Sequence, residues 1–534
     1  MCSLSTSGEP DLKQIANDFA TAFRTTDERP HAQSIALSGW LPHELRGSCF
    51  FRLGPGKLCF SRQTHDQSIS HAHDHPLEGD GLLTKWSFAP SGTSLCFSSR
   101  FVRTHSFNHE HSIGQPEYPT IFASPPTSHS QSPLSRLLRL KHPARLKNLA
   151  NTAVQLVDGK LFAMFDSGLP YCIDPRSLHT LPNSPLANMA RGNGWLKAHA
   201  RTSPDNRRIF YSFDDLSITP TATFYELSPE DSSLLRREHF FLPLMLPFTH
   251  DLVVTQNWYI LFQTPTRLRL SHIIAYLRGR IAMMDLFKTG EQAWIHLLPR
   301  GSTGSRRERV AIPVRDGVRS CFHHCNAFER DGLVILDTVG YGNFSFENMR
   351  FSKLEQPEHF FNGEDGQRAD VWRFVLDPGK KIVCESHVLS HRSVELPATH
   401  PERMGHAHRF IFCAASAIAD KFRWSPPQCV YKVDTENPQQ SMAYQPLARG
   451  FVGEPVLVPK RDKYGESLAT EDALWLICMV YNAESGSTEV HVLDAEGEQM
   501  REGPLCIAKL GFYSPLDLHT LWVGPEQAEK LGLH

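Results

Sequence analysis

Nowhere does this chain of 534 residues offer the roughly 18 uninterrupted apolar residues that a membrane-spanning helix needs. That excludes a spanning helix and leaves surface contact open. A dominant charge sign is also missing: 55 Lys and Arg stand against 57 Asp and Glu, a formal net charge of −2. No global field therefore recruits nucleic acid or favours an acidic substrate. The start, Met1 to Ala20, has no basic stretch followed by an apolar one, so no secretory leader is expected. The 12 cysteines lack the short regular spacings of a disulfide framework, and reduced thiols in a cytoplasmic protein are expected. No clean internal repeat such as a WD signature is present.

Short strands fill most of the length. KLFAMF, RRIFYSF, GLVILDTVG, DVWRFVL, RFIFCAA, ALWLICMVY and TEVHVLD are β-branched or aromatic runs of strand length. Gly, Pro, Asn and Asp punctuate them, as in VDGK, SPDNR, ERDG and DPGK. Strand–turn–strand units recurring from about residue 45 onward predict a closed or radially repeated β architecture rather than βαβ units.

Two segments break this pattern. Residues 134–147 carry Arg136, Arg139, Lys141, Arg145 and Lys147 and no acid. Residues 267–284 place Leu270, Ile273, Ile274, Leu277, Ile281 and Met284 at helical spacing beside Arg267, Arg269, Arg278 and Arg280. One reading is a helix packed on the β body. The other is a peripheral membrane contact, where apolar burial and charge attraction add.

Chemistry is concentrated in RSCFHHCNAFERDG, Arg319 to Gly332. Alternation along a strand puts Cys321, His323 and Cys325 on one face, which is half of a zinc site. In the alternative, only His323 acts, together with histidines from far along the chain. Among 28 histidines, four sit at or near strand ends beside strong apolar runs: His199, His250, His323 and His519. Successive members lie 51, 73 and 196 residues apart, so no local motif such as H-E-x-x-H holds them. A propeller gathers distant strands to one axis.

At these residues the chain resembles the carotenoid cleavage oxygenase family, from about residue 38 to residue 523. Gly54-Pro55-Gly56 match the family's opening segment, with Leu53 where Asn is usual, and LEGDGLLTKWSF resembles its Asp–Gly turn, with Glu78 for the common Asp. RFVRT, LANTAV and VELP match as well, and Phe322, His323 and Asn326 form F-H-x-x-N. The resemblance implies an all-β, seven-bladed β-propeller with iron on its axis, capped by loops and short helices that form a substrate tunnel. It implies an N-terminal extension, residues 1–37, and a single oxygenase domain, 38–534. It makes His199, His250, His323 and His519 the ligands of one Fe(2+), with His324 and the two cysteines as bystanders. Glu395 and Glu454 match acids that hold the ligand rings, and Asp166 stands where a third Glu is usual. Aspartate is one methylene shorter, so either the strand sits closer or a water bridges. Thr520 stands where Gly usually follows the last histidine.

The implied activity is that of a non-haem iron(II) dioxygenase, with O2 as co-substrate, that splits a conjugated C=C bond into two carbonyls. Stilbene cleavers of the family hold a phenol with Tyr and Lys where this chain has Phe101 and Phe165. An apolar pair cannot partner a phenol, and burying a hydroxyl unpaired costs roughly 1–3 kcal/mol. The expected substrate is therefore an apolar carotenoid or apocarotenoid, with Phe101 and Phe165 lining its tunnel. Retinoid isomerases of the family share the ligands, and a non-catalytic binding propeller is the reading from another class. The expected location is cytoplasmic with peripheral membrane contact through 134–147 and 267–284.

Overall fold

A computed structural model describes residues 11–63, 68–122, 146–190, 194–214, 220–242, 249–278, 280–301, 308–315, 317–342, 349–351, 368–390, 392–419, 424–516 and 518–534. Antiparallel sheets dominate it. In chain order, a three-stranded sheet (Ala153–Val157, Lys160–Met164, Tyr171–Ile173) is followed by a five-stranded one ending at Leu234–Phe241. Three four-stranded sheets come next, opening with Val253–Val254, Ser320–Arg330 and Val394–Thr399. The remaining large sheet has ten strands and unites both ends of the chain.

Among the described residues, five sheets thus have four or more strands, rather than the seven separate blades expected. The reason is the strand Arg29–Gly39. It pairs with Cys506–Lys509 on one side and Ser94–Phe101 on the other, fusing two groups of strands into one sheet. The boundary expected at residue 37 falls inside this strand. Upstream, the helix Leu12–Ala20 is docked as well: Asp18 takes a two-pronged ion pair from Arg449 at 2.7 Å, and Phe19 packs on Phe451.

Core clusters form between consecutive sheets. Ala153, Phe162 and Met164 pack against Phe210 and Tyr225, and Ile209 and Phe224 pack against Val254 and Leu261. The same contact repeats from sheet to sheet until Phe51 and Leu83 meet Ala150 and Leu161, which closes the circuit. Each inner sheet is covered on both faces, so Leu474–Asn482 is buried at every position but the last. Ser94–Phe101 instead alternates buried and half-buried residues. The turns follow their residues. Asp158–Gly159 and Asp331–Gly332 each have two positive φ values, the hairpin geometry that Asp-Gly favours.

The segment 267–284 is not one helix. A short hairpin strand, Thr266–Leu268, leads into a 3-10 turn and the five-residue helix Ile273–Leu277. The predicted stripe is not buried: Leu270 and Ile274 are 73% and 61% exposed, Ile273, Leu277, Ile281 and Met284 are half-buried, and Tyr276, outside the stripe, is the residue that packs inward. Tertiary packing overrides a weak local preference here, in a run with two adjacent β-branched residues and Gly279 close behind. Of the segment 134–147, residues 134–145 lie outside the described residues. Lys147 is no surface charge; it is buried, with Nζ 2.9 Å from Asp80 and 2.6 Å from Glu110. Among the described residues, no helix is long and apolar enough to cross a membrane.

Candidate metal centre

His199, His250, His323 and His519 converge, with one ring nitrogen of each within 4.8 Å of the others. They come from four different sheets. His199 lies between Trp195–Leu196 and Arg201–Thr202, His250 leads into Val253–Val254, His323 lies in Ser320–Arg330, and His519 opens His519–Val523. The inward atoms are Nε2: those of His199 and His250 are 2.9 Å apart, and those of His323 and His519 are 3.2 Å apart.

Three of the outward nitrogens are anchored by carboxylates. His323 Nδ1 donates to Glu395 Oε2 at 2.5 Å, His519 Nδ1 donates to Glu454 Oε1 at 2.9 Å, and His250 Nδ1 donates to Asp166. Asp166 therefore reaches its ring directly, and the shorter side chain needs no bridging water. Its other oxygen accepts from the amide of Ala198 at 3.0 Å, tying it to the segment that carries His199. Glu395 accepts a second bond from the Tyr341 hydroxyl at 2.5 Å, and Glu454 one from the Thr520 amide at 2.6 Å. Thr520 replaces the usual glycine without disturbing that contact, because its backbone makes it. Imidazole, carboxylate and supporting groups are drawn from every sheet except the two short hairpins. Such anchoring fixes tautomer and ring angle.

Electrostatics favour neutral rings at His199 and His519. Burial, reinforced by the other imidazoles, holds His199 well below the usual histidine range. Burial also lowers His519, against the pull of Glu454. For His323 burial is outweighed by Glu395, and its pKa rises. Burial raises the carboxyls of Asp166, Glu395 and Glu454, but their histidine partners prevail and each pKa is lowered. A cation fits this donor set. Nitrogen ligands about 2.1 Å from a metal lie about 3 Å apart when adjacent in octahedral geometry, close to the two separations above. Four such ligands leave two positions of an octahedron open.

The bystander residues also separate. His324 is buried with Nδ1 2.8 Å from Thr338 Oγ1, and burial lowers its pKa to about 4. Cys321 and Cys325 do not share a face: Cys321 joins the apolar cluster on one side of its sheet and Cys325 the cluster on the other. The strand slips register between Cys321 and His324, and again between His324 and Asn326, which breaks the alternation behind the zinc reading. Burial raises both thiols well above their ordinary range. Asn326 holds a loop: its amide nitrogen donates to the carbonyls of Arg403 and His406, and its oxygen accepts from Gly405. Phe101 is buried in a small cluster with Leu82 and Phe107, and Phe165 is buried too. Sequence reasoning missed Tyr341, Arg201 and Asp251. The last two stand two residues after His199 and directly after His250, but nothing in the sequence links these two charges before the fold brings their segments together.

Fold and site together define a class: an all-β, propeller-like protein with a cluster of four histidines that could hold a metal ion. Comparison with known proteins specifies it. The profile of the family described as RPE65, retinal pigment epithelial membrane protein, matches residues 22–524. The chain is 30% identical over 493 residues to the apocarotenoid-15,15'-oxygenase of Synechocystis sp., covering 91% of this chain and 92% of that protein. It is 26% identical over 561 residues to the chloroplastic carotenoid cleavage dioxygenase 7 of Oryza sativa subsp. japonica, covering 91% and 87%. The solved structure of cobalt-substituted Synechocystis apocarotenoid oxygenase superposes with a TM-score of 0.80 at 27% identity, over 95% of this chain and 99% of the other. This chain belongs to the RPE65 family, the carotenoid cleavage oxygenases.

Proposed function

We propose that the chain is a non-haem iron(II) dioxygenase that cleaves one conjugated double bond of a carotenoid or apocarotenoid. The observation that carries this reading is the cluster of four imidazoles, three of them anchored by carboxylates. His199, His250, His323 and His519 are its ligands, and Asp166, Glu395 and Glu454 hold three of the rings. When bound there, iron(II) would keep its full charge on neutral imidazoles and would supply the activation of O2. The protein's own task is placement. Whichever double bond the protein would hold beside the four imidazoles is the one that would be cut.

Phe101 and Phe165 support a polyene over a stilbene, since neither can hydrogen-bond a phenol. We also read the ten-stranded sheet as two blades stitched by Arg29–Gly39 and the three-stranded sheet as a short blade. Seven units then surround the site, a reading supported by the seven apolar clusters that link neighbouring units. Substrate is drawn from a membrane surface at the rim segment around Leu268, Leu270 and Ile274, which are exposed beside Arg267, Arg278 and Arg280.

The deciding experiment incubates iron-loaded protein with a panel of carotenoids, apocarotenoids and stilbenes and identifies carbonyl products by mass spectrometry. Aldehydes from polyenes alone, lost on chelation, are expected. Cleavage of stilbenes alone refutes the substrate class. Bound but intact polyenes, with no iron retained, favour a non-catalytic binding propeller.

A further inference from the structure

Three of the ligand-bearing segments share contacts that the reading above leaves unused. Arg201 Nε donates to Asp251 Oδ1 at 3.0 Å, and Arg201 Nη2 also meets Asp251 Oδ2. The same Nη2 donates to the carbonyl of His324 at 2.8 Å. The amide of His324 donates to Asp251 Oδ2 at 2.9 Å, and that of Leu252 donates to Oδ1 at 2.7 Å. The Asp251 side chain is fully buried and that of Arg201 is 16% exposed. One ion pair therefore links the segments carrying His199 and His250 to both backbone groups of the residue after His323.

The location is a weak point of the strand. Its ladder slips on both sides of His324. A bulge takes backbone groups out of regular pairing, and buried backbone groups must find partners. Here the partners are side chains from two other sheets. A buried ion pair is a poor source of net stability compared with apolar packing, but a guanidinium fork on a carboxylate fixes two distances at once.

We infer that Arg201 and Asp251 are positioning residues: a clamp that sets the spacing of His199, His250 and His323 in the protein before metal arrives. His519 lies outside the clamp. Its support runs through Glu454, whose carbonyl accepts from Arg52 at 3.4 Å. This inference rests on the reading of the four imidazoles as a metal site.

The test loads wild type, Arg201→Lys, Asp251→Asn and a control, Arg373→Lys, with Co(II) alone. Arg373 makes an equally two-pronged contact to buried Asp337, at 2.8 and 2.6 Å, and Asp337 meets His408 rather than any of the four clustered histidines. Three quantities are read: Co(II) affinity by chelator competition, the visible ligand-field spectrum, and the melting midpoint of the metal-free protein. Lysine keeps the charge but offers no fork. Arg201→Lys and Asp251→Asn should bind Co(II) roughly 10–100-fold more weakly, the usual cost of losing an outer partner of a metal site, with a shifted spectrum. Arg373→Lys should keep wild-type affinity and spectrum even where it melts lower. Wild-type affinity and spectrum in Arg201→Lys overturn the clamp, whatever its melting point, and so does equal weakening in all three variants. If Asp251→Asn does not fold, Arg201→Lys decides. Failure of the wild type to bind Co(II) removes the metal reading and the clamp with it.

Discussion

The imidazole centre and the rim segment around Ile274 use similar residues to opposite ends. At the centre, arginines are buried and answered: Arg201 by Asp251, Arg52 by the carbonyl of Glu454. At the rim, Arg267, Arg278 and Arg280 are exposed, and Leu270 and Ile274 beside them stand in solvent. Burying a charge without a partner costs far more than leaving it wet. A charge inside is therefore kept only where its geometry is used, whereas a charge outside needs only its sign. The centre should thus respond sharply to single atoms, and the rim only to the balance of charge and apolar area.

The largest effect expected is at the centre. His250→Ala and His323→Ala should each abolish iron retention and cleavage, whereas His324→Ala, one residue away, keeps most of both. Iron content by mass spectrometry decides; iron kept in His323→Ala and lost in His324→Ala reverses the assignment. Next come the anchors. Glu395→Gln and Glu454→Gln should fold and lose roughly 10–100-fold in metal affinity or rate. Asp166→Asn should cost no more, and wild-type iron content and rate in all three variants would remove the anchoring role.

A smaller effect isolates burial from metal. Asp337 is buried, and although burial raises its carboxyl, Arg373 and His408 bring it down to about 2. A depressed carboxylate stabilises above its unfolded pKa, and that stability fades as pH falls through the folded value. The drop from 3.8 to about 2 corresponds to about 2 kcal/mol, lost between about pH 4 and pH 2. Urea titrations should find Asp337→Asn less stable than wild type at neutral pH, with the gap narrowing by that amount on acidification. A constant gap contradicts the linkage. The smallest effect on stability is at the rim. Leu270→Glu with Ile274→Glu should leave the melting midpoint nearly unchanged, since exposed substitutions usually stay within about 0.5 kcal/mol each. The same variant should release the protein from anionic liposomes in flotation, and a wild type that never floats ends the membrane reading.

The clustering of His199, His250, His323 and His519 was legible because each stands beside strong strand signals. The Asp-Gly hairpins were legible for another reason: two positive φ values restrict the choice of residue. The clamp was not, since Arg201 and Asp251 are ordinary charges until three distant segments meet. Nor was the bulge at His324, which reverses the alternation that Cys321 and Cys325 suggest. Lys147 read as part of a basic surface because its partners, Asp80 and Glu110, are remote in sequence. The stitching strand Arg29–Gly39 escaped for the same reason, as pairing across nearly the whole chain leaves no local trace.

That closure also orders events in time. The last imidazole opens a strand whose partner is Cys49–Lys57, with His519 set opposite Leu53, so the pair forms only when the two ends of the chain have found each other. Contacts of such long sequence separation are slow to form. Until they do, at most three of the four ring nitrogens can be in place. On the proposed reading metallation is therefore a late step, completed on a closed ring rather than on a nascent or half-folded chain, and chelators added during refolding should slow the return of activity without slowing the return of structure.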